Sequence, residues 1–142
     1  MKIIIGLGSC GIAAGGLKVK EEFARLMSEN PSADVVMAET GCMGMCYKEV
    51  MVEVVNKDGS SVIYGEVNEE KARQIFNSHI LQNTPIRNFV VRSSTEANEQ
   101  DSFFNKQQRI VLARCGRMNP ESLDEALALD AYKGLQKALK EM

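Results

Sequence analysis

The chain has 142 residues, with 17 basic and 19 acidic side chains and a formal charge of −2; 44% of residues are hydrophobic, 6% aromatic and 25% charged. This composition suits one folded domain, or one domain with an appendage, and excludes disordered, collagen-like and low-complexity chains. No Lys/Arg cluster points to nucleic acid or an anionic membrane, and no apolar run approaches the roughly 18 residues that insert into a bilayer.

Ile3–Leu7 reads as a buried strand. Leu7-Gly8-Ser9-Cys10 resembles a lipoprotein leader. The apolar run before it is broken at Gly6 and falls short of the roughly 7–15 residues such a leader needs. Without a leader, a cytoplasmic location is expected, where cysteines favour metal or redox chemistry over structural disulfides. Gly6-Leu7-Gly8-Ser9-Cys10-Gly11 also satisfies G-x-G-x-x-G between a strand and a helix, the outline of a dinucleotide site. The chain beyond residue 55 does not continue as repeated βα units, which argues against that reading.

The loop Gly8–Gly16 is expected to hold Cys10. From Leu17 onward, Val19, Phe23, Leu26 and Met27 recur at helical spacing, and Asn30-Pro31-Ser32 stops the helix. Asp34–Ala38 reads as a second strand, and the loop Glu39–Tyr47 carries Cys42 and Cys46. Val50–Val55 and Ser61–Tyr64 flank a Lys57-Asp58-Gly59 turn as strands three and four. A second helix runs from Asn68 to Leu81, capped by Asn68, with Ala72, Ile75, Phe76 and Ile80 on its apolar face. His79 reads as a packing or surface histidine.

The character then changes. A short strand is possible at Phe89–Val91, and Ser93–Ser102 is polar and expected to be mobile. Asn119-Pro120-Glu121-Ser122 predicts a helix start. Leu123, Ala126 and Leu127 form one apolar stripe beyond it, and Tyr132, Leu135, Leu139 and Met142 another; both need a surface to bury them.

Loops after neighbouring parallel strands emerge at one sheet edge. If strands one and two are such neighbours, Cys10, Cys42 and Cys46 converge there. Gly11, Gly41 and Gly44 stand beside these cysteines, and glycine lets backbone N–H groups approach thiolates closely. Such a setting suits an iron–sulfur cluster. Met37, Met43, Met45 and Met51 would wall it. The bland alternative is that the cysteines pack as small hydrophobes. C-x₃-C is not the C-x-x-C of a dithiol oxidoreductase.

Three segments, Gly8-Ser9-Cys10-Gly11-Ile12-Ala13-Ala14-Gly15, Glu39-Thr40-Gly41-Cys42-Met43-Gly44-Met45-Cys46-Tyr47-Lys48-Glu49 and Tyr64-Gly65-Glu66-Val67, together resemble the thioredoxin-like [2Fe–2S] ferredoxin domain. They are most similar to its version at the N-terminus of NADH-oxidising flavoprotein subunits of bacterial NADH dehydrogenases and NAD(P)-linked, electron-bifurcating hydrogenases. Gln108–Gly116, Asn119–Ser122 and Tyr132–Leu139 resemble that family's lead-in to its flavin domain. The resemblance implies an α/β fold: a thioredoxin-like mixed four-stranded sheet with flanking helices over residues 1–82, a linker over 83–107 and a small helical lead-in over 108–142. It implies metal ligands at Cys10, Cys42 and Cys46, with Gly11, Gly41 and Gly44 around the cluster. FMN and NADH would belong to a downstream domain. The expected partners are a flavoprotein domain or subunit and other iron–sulfur subunits, with a homo-oligomer also open; nucleic acid and membrane insertion are not expected.

Two departures bear on the cluster. The family's first ligand pair is C-x₄-C, and here Ile5 stands at its first position. A [2Fe–2S] cluster takes four protein ligands. A fourth could come from Cys115, Ser9 or an outside group, or the cluster is lost and the scaffold serves as a docking or assembly domain. Val50 follows Glu49 where the family commonly has proline.

Overall fold

The computed structural model describes residues 1–95 and 106–141. Most of the polar stretch Ser93–Ser102, and Met142 of the last stripe, lie outside the described residues.

The elements are β1 (Lys2–Gly6), α1 (Ser9–Ala13), α2 (Gly16–Glu29), β2 (Val36–Thr40), β3 (Val52–Val55), β4 (Ser61–Tyr64), α3 (Glu69–Ile75), β5 (Val90–Ser93), α4 (Leu123–Ala128) and α5 (Lys133–Glu141). The sheet has the order β2-β1-β3-β4-β5. Strands β1 and β2 pair in parallel, Ile3 opposite Met37, and the remaining pairs are antiparallel. The sheet is therefore mixed, as expected, but has five strands where four were expected. The fifth is β5, within the stretch read as linker. It adds to the free edge of β4 with a register shift between Ile63 and Tyr64.

Side chains alternate along each strand with period two. Ile3, Ile5, Val52, Val54, Val62 and Tyr64 face Phe23, Ile75 and Phe76 of the helical layer, and all are buried. Ile4, Met51 and Ile63 face the other way and pack with Met43 and Met45. The methionine wall expected near the cysteines is thus the second, smaller core. Met37 departs from it, packing against the main core instead.

Two polar links brace this packing, one between the helices α2 and α3 and one between the sheet and the helical layer. Glu22 of α2 accepts from Arg25 (2.6 Å) and from Arg73 of α3 (2.7 Å). The Arg25 and then the Arg73 hydrogen bonds hold the Glu22 carboxyl down at about 2. His79 is fully buried, so of its two expected roles it takes packing. The Tyr64 hydroxyl receives the Ile86 N–H (3.4 Å) and lies 2.7 Å from Nδ1 of His79. Asn56 Oδ1, 3.2 Å from His79 Nε2, can only accept, so in the neutral ring Nε2 carries the proton and donates, and Nδ1 accepts from the Tyr64 hydroxyl. Burial pushes the His79 pKa down, which suits this neutral form, and pushes Tyr64 up to about 12.

The expected cap at Asn68 is present; its side chain accepts from the Lys71 N–H. The helix it starts passes from α3 into one π turn, Phe76–Ile80. Two expectations need correction. Cys10 is not in a loop: Ser9–Ala13 is a short helix, and α2 starts at Gly16 rather than Leu17. Asn119 does not cap α4; Ser122 does, accepting from Glu125 N–H, while Asn119 Oδ1 accepts from Glu121 N–H in the turn before. Among the described residues, no helix is long and apolar enough to cross a membrane.

Candidate functional site

The parallel β1–β2 pair brings the segments after both strands to one edge of the sheet. Leu7 N–H donates to Thr40 O (2.8 Å), tying the end of one strand to the other. Gly8 then lies against Cys42: a β-carbon at Gly8 would sit 3.0 Å from Cys42 N and 3.2 Å from its β-carbon. Gly8 was not among the glycines expected around the cluster, yet it is what lets the two cysteine-bearing segments touch.

Within the second segment, Gly44 turns the chain back with φ +89°, a conformation L side chains rarely adopt. The turn aims the Gly44 N–H at Cys42 Sγ, 3.2 Å away. Cys46 opens a 3₁₀ turn, Cys46–Lys48, and its Sγ lies 3.4 Å from Cys42 Sγ. Cys42 is half-buried and Cys46 exposed. The Gly44 hydrogen bond lowers the Cys42 pKa, but burial and the neighbouring Cys46 and Glu49 outweigh it, so the thiol ends above its ordinary value.

Of the three expected ligands, Cys42 and Cys46 are brought together. Cys10 is exposed in the first turn of α1, on the same edge. Among the described residues, no set of three His, Cys, Asp or Glu side chains is gathered closely enough to hold a metal ion. Of the three glycines, Gly44 directs its N–H at sulfur. Gly11 is instead a packing position: a β-carbon there would meet Gly6 O at 2.3 Å, so any side chain would push α1 off the sheet. Gly41 faces the Pro120 ring, 3.7 Å from where its β-carbon would be.

Glu49 is a second residue whose place the sequence did not reveal. The Glu49–Val50 peptide is cis, at the position where the resembled family has proline. Its side chain turns inward beneath α1. Oε2 accepts from Met51 N–H (3.0 Å), while Oε1 is buried without a hydrogen-bond partner. Burial raises the Glu49 carboxyl above its ordinary pKa, with the Met51 N–H acting the other way.

The tail folds back over this loop. Thr40 Oγ1, buried at the end of β2, donates to Met118 O (3.0 Å), and Arg109 Nη1 reaches Met43 O (3.5 Å). Gly116, with φ +81°, packs on the Met43 side chain. A cavity of about 400 Å³ lies between sheet and tail, lined among others by Met43, Arg109 and Cys115. Cys115 stands on the wall of this cavity, half-buried.

Two solved structures of a thioredoxin-like [2Fe–2S] ferredoxin from Aquifex aeolicus share this architecture. One is 24% identical, with a TM-score of 0.57 over 64% of this chain and 95% of that one. The other is 20% identical, with a TM-score of 0.59 over 66% and 91%. The chain shares the thioredoxin-like fold of these ferredoxins. It is also similar in sequence to the NADP-reducing hydrogenase subunit HndB of Solidesulfovibrio fructosivorans. They are 28% identical over 88 residues, 62% of this chain and 70% of the relative. No family model matches the chain.

Proposed function

We propose that this chain is an electron-transfer module that holds a [2Fe–2S] cluster at the Cys42–Cys46 loop. In this reading it works within an NADH- or NADP-linked multisubunit oxidoreductase. The observation that carries the proposal is the Cys42–Cys46 pair, 3.4 Å apart, with the Gly44 N–H on Cys42. Two soft thiolates with a backbone donor on one of them is the donor chemistry that iron–sulfur clusters use. The fold shared with the Aquifex ferredoxins and the likeness to a hydrogenase subunit support it.

Cys42 and Cys46 would be two ligands and Cys10, on the same sheet edge, the third. The fourth is outside the family-type cysteines of this chain. When bound, the cluster would supply a one-electron redox couple. The protein's own part is to orient and insulate it. The Gly44 N–H stabilises negative charge on the Cys42 sulfur, and Met43 and Met45 close the inner side of the loop. The exposed edge of Cys46 is the side from which an electron partner would approach. Flavin and nicotinamide binding would lie in a partner domain or subunit, and the reading places the chain in the cytoplasm.

The test is anaerobic purification followed by measurement of iron, acid-labile sulfide and the visible spectrum. Bound iron and sulfide with cluster absorption are expected. Cys42→Ala should bleach the protein, and Cys115→Ala should leave it coloured. A folded protein that stays colourless after reconstitution overturns the carrier reading.

A second reading is a cluster-free docking domain. It is favoured by the apolar residues that the tail leaves exposed, Leu135 and Leu139 among them. A folded, colourless protein that still binds a flavoprotein subunit would establish it.

A further inference from the structure

We propose that in the cluster-free chain Cys42 and Cys46 form a reversible disulfide with each other, Cys46 meeting the oxidant and Cys42 closing the bond. This goes beyond the carrier reading and does not require it, since the step takes place before any iron is bound.

The geometry is that of a pair poised for bonding. The two sulfurs lie 3.4 Å apart and would close to about 2.05 Å in a disulfide. The turn at Gly44 already brings them face to face, so closure asks for side-chain rotation rather than a new loop path. The roles follow from access. Cys46 is exposed at the start of its 3₁₀ turn, open to a small oxidant. Cys42 is half-buried against Gly8 and held by the Gly44 N–H, so its sulfur faces Cys46 more readily than solvent. Susceptibility to oxidation follows exposure and thiolate character, and an oxidised cysteine condenses with a resolving thiol in reach.

With hydrogen peroxide as oxidant, the Cys46 thiolate attacks one peroxide oxygen and the O–O bond breaks. This leaves a sulfenic acid on Cys46 and a departing hydroxide, which takes up the proton the thiol had lost and is released as water. The Cys42 thiolate then attacks the Cys46 sulfur; the S–O bond breaks, and hydroxide leaves and takes up a proton as water. Two thiols and one peroxide become one disulfide and two waters. The two electrons lost by sulfur are those that reduce the peroxide. A small dithiol such as dithiothreitol reverses the bond by exchange.

The experiment uses the full iron-free chain, reduced and then treated with one equivalent of hydrogen peroxide. Free thiols are alkylated and the protein is digested with trypsin. Cys42 and Cys46 share the peptide Leu26–Lys48, whereas Cys10 and Cys115 fall in others. Leu26–Lys48 should lose the mass of two hydrogens and take up no alkylating agent, while Cys10 and Cys115 stay alkylated; dithiothreitol should restore both thiols. Two alkylated thiols in Leu26–Lys48 after peroxide, or a bridge to Cys10 or Cys115, would overturn the pairing. This arm needs no variant and no iron, so a protein that never takes up a cluster can still pass or fail it.

The roles are tested with dimedone, which traps sulfenic acid. In Cys42→Ser, Cys46 should acquire the adduct. In Cys46→Ser, Cys42 should label several-fold more slowly. Equal or reversed rates would overturn the assignment.

Discussion

Phe23 in α2 and Leu139 in α5 are both apolar residues on amphipathic helices, yet Phe23 is fully buried and Leu139 is 78% exposed. The contrast extends to the regions around them. Residues 1–93 pack two layers about a sheet, with a continuous core from Ile3 to Ile80. No residue of α4 or α5 is buried. What fastens the tail is a handful of contacts between residues 109–120 and the cysteine loop, led by Thr40 to Met118. The same amphipathic pattern therefore has two outcomes. It drives burial where a sheet face is within reach, and it leaves a stripe in solvent where none is.

Breaking the core should cost most. Phe23→Ala removes a fully buried ring and should lower unfolding stability by about 3–5 kcal/mol in urea titrations. Gly11→Ala drives a methyl into Gly6 O and should cost ~1–3 kcal/mol by the same measurement, with the damage centred on the α1–β1 contact.

Acid should weaken the core through two groups. The folded pKa of His79 lies below its ordinary 6.5, so below that pH the unfolded chain binds a proton that the folded chain resists. Glu22 has its carboxyl depressed from 4.5 to about 2, so its contribution is lost as pH falls across that span. Glu49, whose folded pKa is raised, acts in the opposite sense, and its stabilising contribution is lost as pH rises through that pKa. Thermal melts of His79→Gln should therefore lose the decline that the parent shows just below pH 6.5. An unchanged slope would show that His79 is not responsible.

The tail should respond more weakly. Thr40→Val removes one donor to Met118 O and should cost about 1 kcal/mol. Its clearer mark should be faster amide hydrogen exchange over residues 109–120, with the sheet amides unchanged. Leu139→Ala should shift stability by no more than ~0.5 kcal/mol, because its side chain is already largely in water. A larger loss would mean the tail is packed more firmly than its exposure indicates.

Strong local signals were read correctly. Ser61–Tyr64 follows a Lys-Asp-Gly turn with alternating apolar residues and is a strand with those bounds. Asn68 caps the helix it was expected to cap. Strand ends elsewhere differ by one or two residues, as the last hydrogen bonds of an element depend on its neighbours. The short helix α1 was missed because a glycine-rich stretch shows no helical periodicity. Strand β5 was recognised only as possible, since an edge strand of four half-buried residues carries no alternation of buried and exposed positions.

Sequence alone placed Cys42 and Cys46 in one glycine-bearing loop, and residues four apart in a tight loop have few ways to separate. Hydrophobic period likewise laid out the order of strands and helices over the first 82 residues, since side-chain alternation and helical spacing are local properties. Only tertiary structure decided the rest: the seat of Cys42 against Gly8, the buried Oε1 of Glu49 beneath α1, and the return of the tail, where Thr40 meets a carbonyl 78 residues away. Such contacts depend on where the sheet brings distant segments to rest, and neither residue type nor spacing records that.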